Sequence, residues 1–174
     1  FSITLIVGNS PPLLSAILNS TYALNRTEEN LTYYNISTAD ADNEAVINIV
    51  SWYKNNTPLF IAHLPFESGT NATFAKDYSG RGHNGSGQNL LYESSSGYDG
   101  FGIINLTTDG SAFRYLNLTN TASMNLNNDS FTVEAWFLAR NGTTFNNLIV
   151  KAADTSAQLA HFRLGVRSST GNVE

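Results

Sequence analysis

The sequence predicts an all-β protein, and three observations carry that prediction. Apolar and polar residues alternate with a period of two along most of the apolar runs. Amphipathic stretches with helical spacing are missing. Clusters of Gly, Asn, Asp and Ser, the residues that reverse a chain, separate the alternating runs. Strands are therefore expected near 2–7, 13–18, 31–37, 46–53, 58–64, 101–106, 112–118, 130–138, 147–152 and 159–167.

Taken in order, the first strand is "FSITLIV", where Phe1, Ile3 and Leu5 alternate with Ser2 and Thr4. The next four follow at tight spacing up to Leu64. Beyond that point the turn-rich stretches Glu67–Gly87 and Ser94–Gly100 lengthen the connections before the remaining strands. The change in spacing marks a boundary close to Pro58–Pro65 without a flexible linker. Three parts result: an N-terminal strand over 1–8, a first domain over 9–58 and a second over 59–174.

Composition narrows the function classes. Nine Lys and Arg against 14 Asp and Glu give a net charge of -5, which repels phosphate backbones and argues against a nucleic-acid partner. The absence of cysteine removes disulfides, thiolate zinc sites and cysteine nucleophiles together. No run approaches the ~20 apolar residues of a membrane span, so none is expected in this chain. "FSITLIVG" lacks the charged start and the length of a signal peptide, and the opening at Phe1 is expected of a mature chain or a fragment.

Only 13% of residues are charged, half of what an ordinary soluble domain carries, so another source of solubility is needed. Asn, Ser and Thr supply it. The 22 Asn, 18 Ser and 17 Thr form eleven Asn-X-Ser/Thr sequons, against about four expected by chance. They begin at Asn19, Asn25, Asn30, Asn35, Asn55, Asn71, Asn84, Asn105, Asn117, Asn128 and Asn141. The excess, spread along the chain, predicts an exported, N-glycosylated protein at the cell surface. Many sequons without cysteine fit an archaeal surface protein.

Two resemblances refine the fold. "NSPPLLSAILNST" and "LTYYNISTADADNEAVINIVSWYKNNTPL" resemble the small immunoglobulin-like repeats of archaeal surface proteins, with Pro11 and Pro12 opening the sandwich, an Asp40/Asp42 turn and a Trp52-Tyr53-Lys54-Asn55 hairpin. Trp52 reads as a core anchor. "LPFESGTNATFAKDYSGRGHNGSG", "GIINLTTDGSAFRYLNL", "FTVEAWFLA" and "LIVKAAD" together resemble the concanavalin A-like, laminin G-type jelly roll. Such domains continue further than "RSSTGNVE", so the C-terminal strands are expected to be missing from this chain. The resulting expectation is an immunoglobulin-like sandwich followed by an incomplete jelly roll.

Several motifs bear on chemistry. "SGRGHNGSG" spells G-x-G-x-x-G at Gly80, Gly82 and Gly85, but no apolar strand precedes it and no helical pattern follows, as a dinucleotide site requires. Its glycines instead suit positive φ in a tight loop, with Asp77 accepting hydrogen bonds from backbone amides. The jelly-roll resemblance implies a Ca²⁺ ion near Asp109, with Glu67 and Asp77 as further ligands; Asp109 alternatively only caps the Asp109-Gly110 turn. The Asp40–Asn43 cluster reads as an Asx-turn. His63, His83 and His161 lack metal-ligand spacing. No E-x-D-x-x-E string or G-x-S-x-G elbow occurs, and Glu134 stands alone on its strand, so the chain is not expected to be an enzyme.

The expected function is thus a secreted, N-glycosylated structural or adhesive surface protein. Its partners are copies of itself or other surface proteins, with Phe1–Gly8 as a donor strand for a neighbouring subunit's open sheet edge in a filament or envelope layer. The alternative is a carbohydrate-binding module of a larger surface protein, with Tyr92, Tyr98, Phe101 and Tyr115 as its platform.

Overall fold

The computed structural model describes residues 9–24, 26–106, 114–119, 121–126, 130–138, 145–152, 160–167 and 172–173. The all-β expectation holds: the described residues form twelve short strands in five antiparallel sheets, plus one turn of 3-10 helix at Ala122–Met124. Main-chain proximity divides the chain into two units, Phe1–Asn125 and Leu126–Glu174.

The first unit opens with a hairpin of β1 (Leu13–Ser20) and β2 (Leu31–Ala39), running from the Leu13↔Ala39 pair to Ser20↔Leu31 with a bulge between Ser15 and Ala16. β-Branched and aromatic residues favour the pleat. Between the strands, Thr21 N donates to Asn30 O at 3.0 Å, and the Glu29 carboxylate accepts from Tyr22 N at 3.2 Å. At the open end Ser10 N donates to Asp42 Oδ2 at 2.7 Å and Asn48 Nδ2 to Thr38 Oγ1 at 2.8 Å.

A second hairpin joins β3 (Tyr53–Lys54) to β4 (Thr57–Pro58). Its two turn residues, Asn55 and Asn56, both have positive φ (49° and 61°), the mirror-image turn that suits the strand twist and that Asn tolerates. Next come β5 (Phe74–Ala75), β6 (Gly85–Gln88), β7 (Leu91–Glu93), β8 (Ile103–Asn105) and β9 (Tyr115–Leu118). They form a three-stranded sheet in the order β5-β6-β9 and a β7-β8 pair.

In the second unit β10 (Phe145–Ala152) pairs with β11 (Ala160–Arg167), which pairs with β12 (Asn172–Val173). The segment 130–138, expected as a strand, has no ladder partner among the described residues. Alternation alone does not make a ladder, and Trp136 and Leu138 are exposed.

What lies at the centre of the first unit is unusual. Among the described residues the buried apolar side chains are Ala75 and Leu90, while Ser20, Glu67, Thr70, Asp77, Ser79 and His83 are buried and polar. Hydrogen bonds therefore position this region, since each buried polar group must find a partner or carry its desolvation cost.

Candidate functional site

Asp77 is the hub of that polar centre. The short strand β5 brings it to the start of the glycine loop, and both carboxylate oxygens are filled by donors. Oδ1 accepts from His63 N at 2.8 Å and Ser79 N at 2.9 Å; Oδ2 accepts from Ser79 Oγ at 2.7 Å and His83 N at 2.8 Å. Asp77 N itself donates to Asn84 Oδ1 at 2.9 Å. Burial pushes the acid's pKa up, but the hydrogen bonds from His63, Ser79 and His83 outweigh it and hold the carboxyl below its ordinary value.

Around this hub the loop is tied on two sides. Arg81 donates from Nη2 to Pro58 O at 2.8 Å and from Nε to Phe60 O at 3.0 Å, and Ser51 Oγ donates to Tyr78 O. His83 Nε2 lies 2.7 Å from Ser123 Oγ. Gly80 has φ +89°, which favours glycine, and a Cβ there would stand 2.5 Å from Tyr53 Oη, so the exposed Tyr53 ring would have to shift as well. The sequence expectation for this loop is met in part: Gly80 and Gly82 take positive φ and Asp77 gathers amides, whereas Gly85 does not take positive φ and begins an antiparallel strand where a nucleotide loop needs a helix.

Glu67 is the second buried acid, 5% exposed. Its two oxygens share one donor, Gly102 N, at 3.1 and 3.2 Å. A Cβ on Gly102 would collide with Phe66 O, so only glycine lets the two segments approach this closely. Burial raises the Glu67 pKa; the Gly102 amide opposes this and the charge of Asp99 adds to it. The folded state thus holds the Glu67 proton more tightly than the unfolded chain. Its stabilising contribution is complete below the ordinary value of 4.5 and is lost as pH rises through the raised one. Glu67→Gln keeps an acceptor for Gly102 and carries no charge. Urea midpoints should place this variant above the wild type at about pH 7, the gap closing toward about pH 4; a gap independent of pH would refute the assignment.

The other sequence candidates are scattered. Asp109 lies outside the described residues, and among those described no three His, Asp or Glu side chains converge as a metal would need. Asp40 Oδ1 accepts from Asp42 N at 2.8 Å, the expected Asx-turn. His63 packs against Phe60, ring centres 5.0 Å apart, and burial lowers its pKa, partly offset by Asp77. His161 lies on β11, and Glu134 in the 130–138 segment. Trp52 is half-buried and accepts a hydrogen bond from Leu59 N.

Of the aromatic platform, Tyr98 is 91% exposed, Tyr115 and Phe101 are exposed, and Tyr92 is half-buried, its hydroxyl against Gly102. Tyr98 and Phe101 share one tight loop, closed by Gly97 N donating to Phe101 O at 2.8 Å. Among the sequons, Asn19, Asn30, Asn35, Asn55, Asn71 and Asn117 are exposed, and Asn84 and Asn105 are half-buried. Asn25, Asn128, Asn141 and the donor segment 1–8 lie outside the described residues. Ser79, Ser123 and Asp99 were not singled out by sequence; only the Asp-x-Ser spacing of Asp77 and Ser79 signalled the first.

The chain matches no protein-family model, no curated protein and no solved structure.

Proposed function

We propose that this chain is a secreted, N-glycosylated structural subunit that assembles with copies of itself at the cell surface, built from an immunoglobulin-like part and a jelly-roll part. The observation that supports it most is the β1–β2 hairpin. Leu13, Leu14, Ile17, Leu18, Leu31, Tyr34 and Ile36 are each more than half exposed, and they occupy both faces. Register places Leu18 beside Tyr33 on one face and Ile17 beside Tyr34 on the other. Each face offers on the order of 300–400 Å² of side chain, as much as the largest patch of a typical monomer. A lone two-stranded hairpin is marginal in water, and its edges invite another strand. The alternating segment Phe1–Val7 of a neighbouring subunit is the occupant proposed for that edge.

The test is the mass and oligomeric state of native material. Glycan-sized mass steps above 18.9 kDa on regular filaments or sheets, both lost as assemblies when residues 1–8 are removed, are the expected result. An unmodified monomer would overturn the reading. The exposed Tyr98, Phe101 and Tyr115 favour a second reading, a carbohydrate-binding module; sugar binding that survives removal of residues 1–8 and fails in Tyr98→Ala would favour it over assembly.

A further inference from the structure

Resting on the proposed export and glycosylation, the geometry points to an unequal use of the sequons: Asn55 and Asn71 carry glycan, while Asn84 and Asn105 stay bare in the folded chain. In the transfer, Asn Nδ2 attacks C1 of an oligosaccharide linked to an isoprenoid phosphate. The N–C1 bond forms as the C1–O bond to phosphate breaks, and the amide proton leaves with the phosphate. Three consecutive residues must therefore be presented to the transferase, with Nδ2 unencumbered.

Asn55-Asn56-Thr57 meets this at the tip of the β3–β4 hairpin, where all three residues are exposed. Asn71-Ala72-Thr73 meets it in an exposed loop. There Asn71 Oδ1 accepts from Thr73 N at 2.9 Å and Thr73 Oγ1 at 3.1 Å, so the acceptor oxygen is occupied by its own sequon and Nδ2 takes no part in the turn.

The other two fail for separate reasons. Gly85 and Ser86 of the Asn84 sequon belong to β6, the central strand of its sheet, paired with β5 on one side and β9 on the other. Asn84 Oδ1 is moreover held by Asp77 N. Presenting this sequon means removing a central strand and opening the Asp77 hub. At Asn105 the reacting atom itself is engaged: Nδ2 donates to Glu93 Oε1 at 2.7 Å across the β7–β8 pair.

Site-resolved mass spectrometry of peptides from the native protein tests this. Occupancy at Asn55 and Asn71 should exceed that at Asn84 and Asn105 by at least about tenfold, equivalent to about 1.4 kcal/mol of local opening. Thr73→Ala should remove one glycan step from the intact mass and Thr73→Ser should restore it, whereas Ser86→Ala should remove only the hydroxyl oxygen. Comparable occupancy at Asn84 or Asn105, or bare Asn55 and Asn71 beside other glycosylated sequons, overturns the inference and leaves the export reading standing. A chain without glycan at any sequon overturns both.

Discussion

Replacing Asp77 with alanine is expected to lower the unfolding free energy by about 3–5 kcal/mol, among the largest effects a single substitution produces. The reason is the number of donors left behind. His63 N, Ser79 N, Ser79 Oγ and His83 N all point at this one carboxylate, and Ser79 and His83 are too buried to turn to water instead. An unsatisfied buried donor costs about 1–3 kcal/mol; Ser79 N and His83 N would lose their acceptor in a buried site, while Ser79 Oγ keeps Ile61 O at 3.4 Å and His63 is half-buried. Asp77→Asn should fall between alanine and the wild type: its carbonyl oxygen still serves two donors, but its NH₂ group faces the other two. Denaturant titration followed by tyrosine and tryptophan fluorescence measures both variants. An alanine variant within about 1 kcal/mol of the wild type would show that the hub is dispensable.

Acid makes the same point without a mutation. Because the folded Asp77 pKa lies below its ordinary value, its contribution is present above the ordinary carboxylate range and is lost as pH falls through the lowered one. Asp77→Asn should therefore remove part of the acid lability of the wild type, whereas Glu67→Gln changes the profile in the opposite direction. A calcium-dependent rise in the wild-type midpoint that disappears in Asp77→Asn would instead make this carboxylate an ion ligand. Four protein donors already occupying its oxygens argue for the hydrogen-bonded role.

Legibility in the sequence followed the range of the interactions. β1, β2, β10 and β11 were visible because eight or nine residues of β-branched, aromatic and alternating character lie in one run. The Asp77 loop was visible because glycine demand and Asx chemistry are local. β6 was not: "GSGQ" has poor intrinsic strand preference, and it is a strand only because β5 and β9, distant in sequence, pair with it. The opposite error occurred at 46–53 and 58–64, where apolar content suggested full strands and only Tyr53–Lys54 and Thr57–Pro58 pair. Glu67 carried no sequence signal for burial, since acids are mostly exposed; its site is made by the approach of Gly102, 35 residues away.

The hairpin offers the second large effect, and here stability and assembly should separate. Register pairs Ile17 with Tyr34 on one face, while Asn35 and Leu31 lie with Leu18 and Tyr33 on the other. A glycan on Asn35 would cover the second face at its middle. On the first, the only sequon asparagine is Asn19, at the loop end of the strand. The apolar row of a docking Phe1–Val7 strand, Phe1, Ile3 and Leu5, should therefore continue the first face. Ile17→Asp should abolish assembly, and Leu18→Asp should weaken it less. Neither should shift the midpoint of the isolated subunit by more than about 0.5 kcal/mol, because both side chains already stand in water. Sedimentation velocity and denaturation on the same preparations read the two quantities independently. If Ile17→Asp unfolds the isolated subunit, this face is covered within the chain itself; if assembly persists in both variants, the hairpin is not the interface.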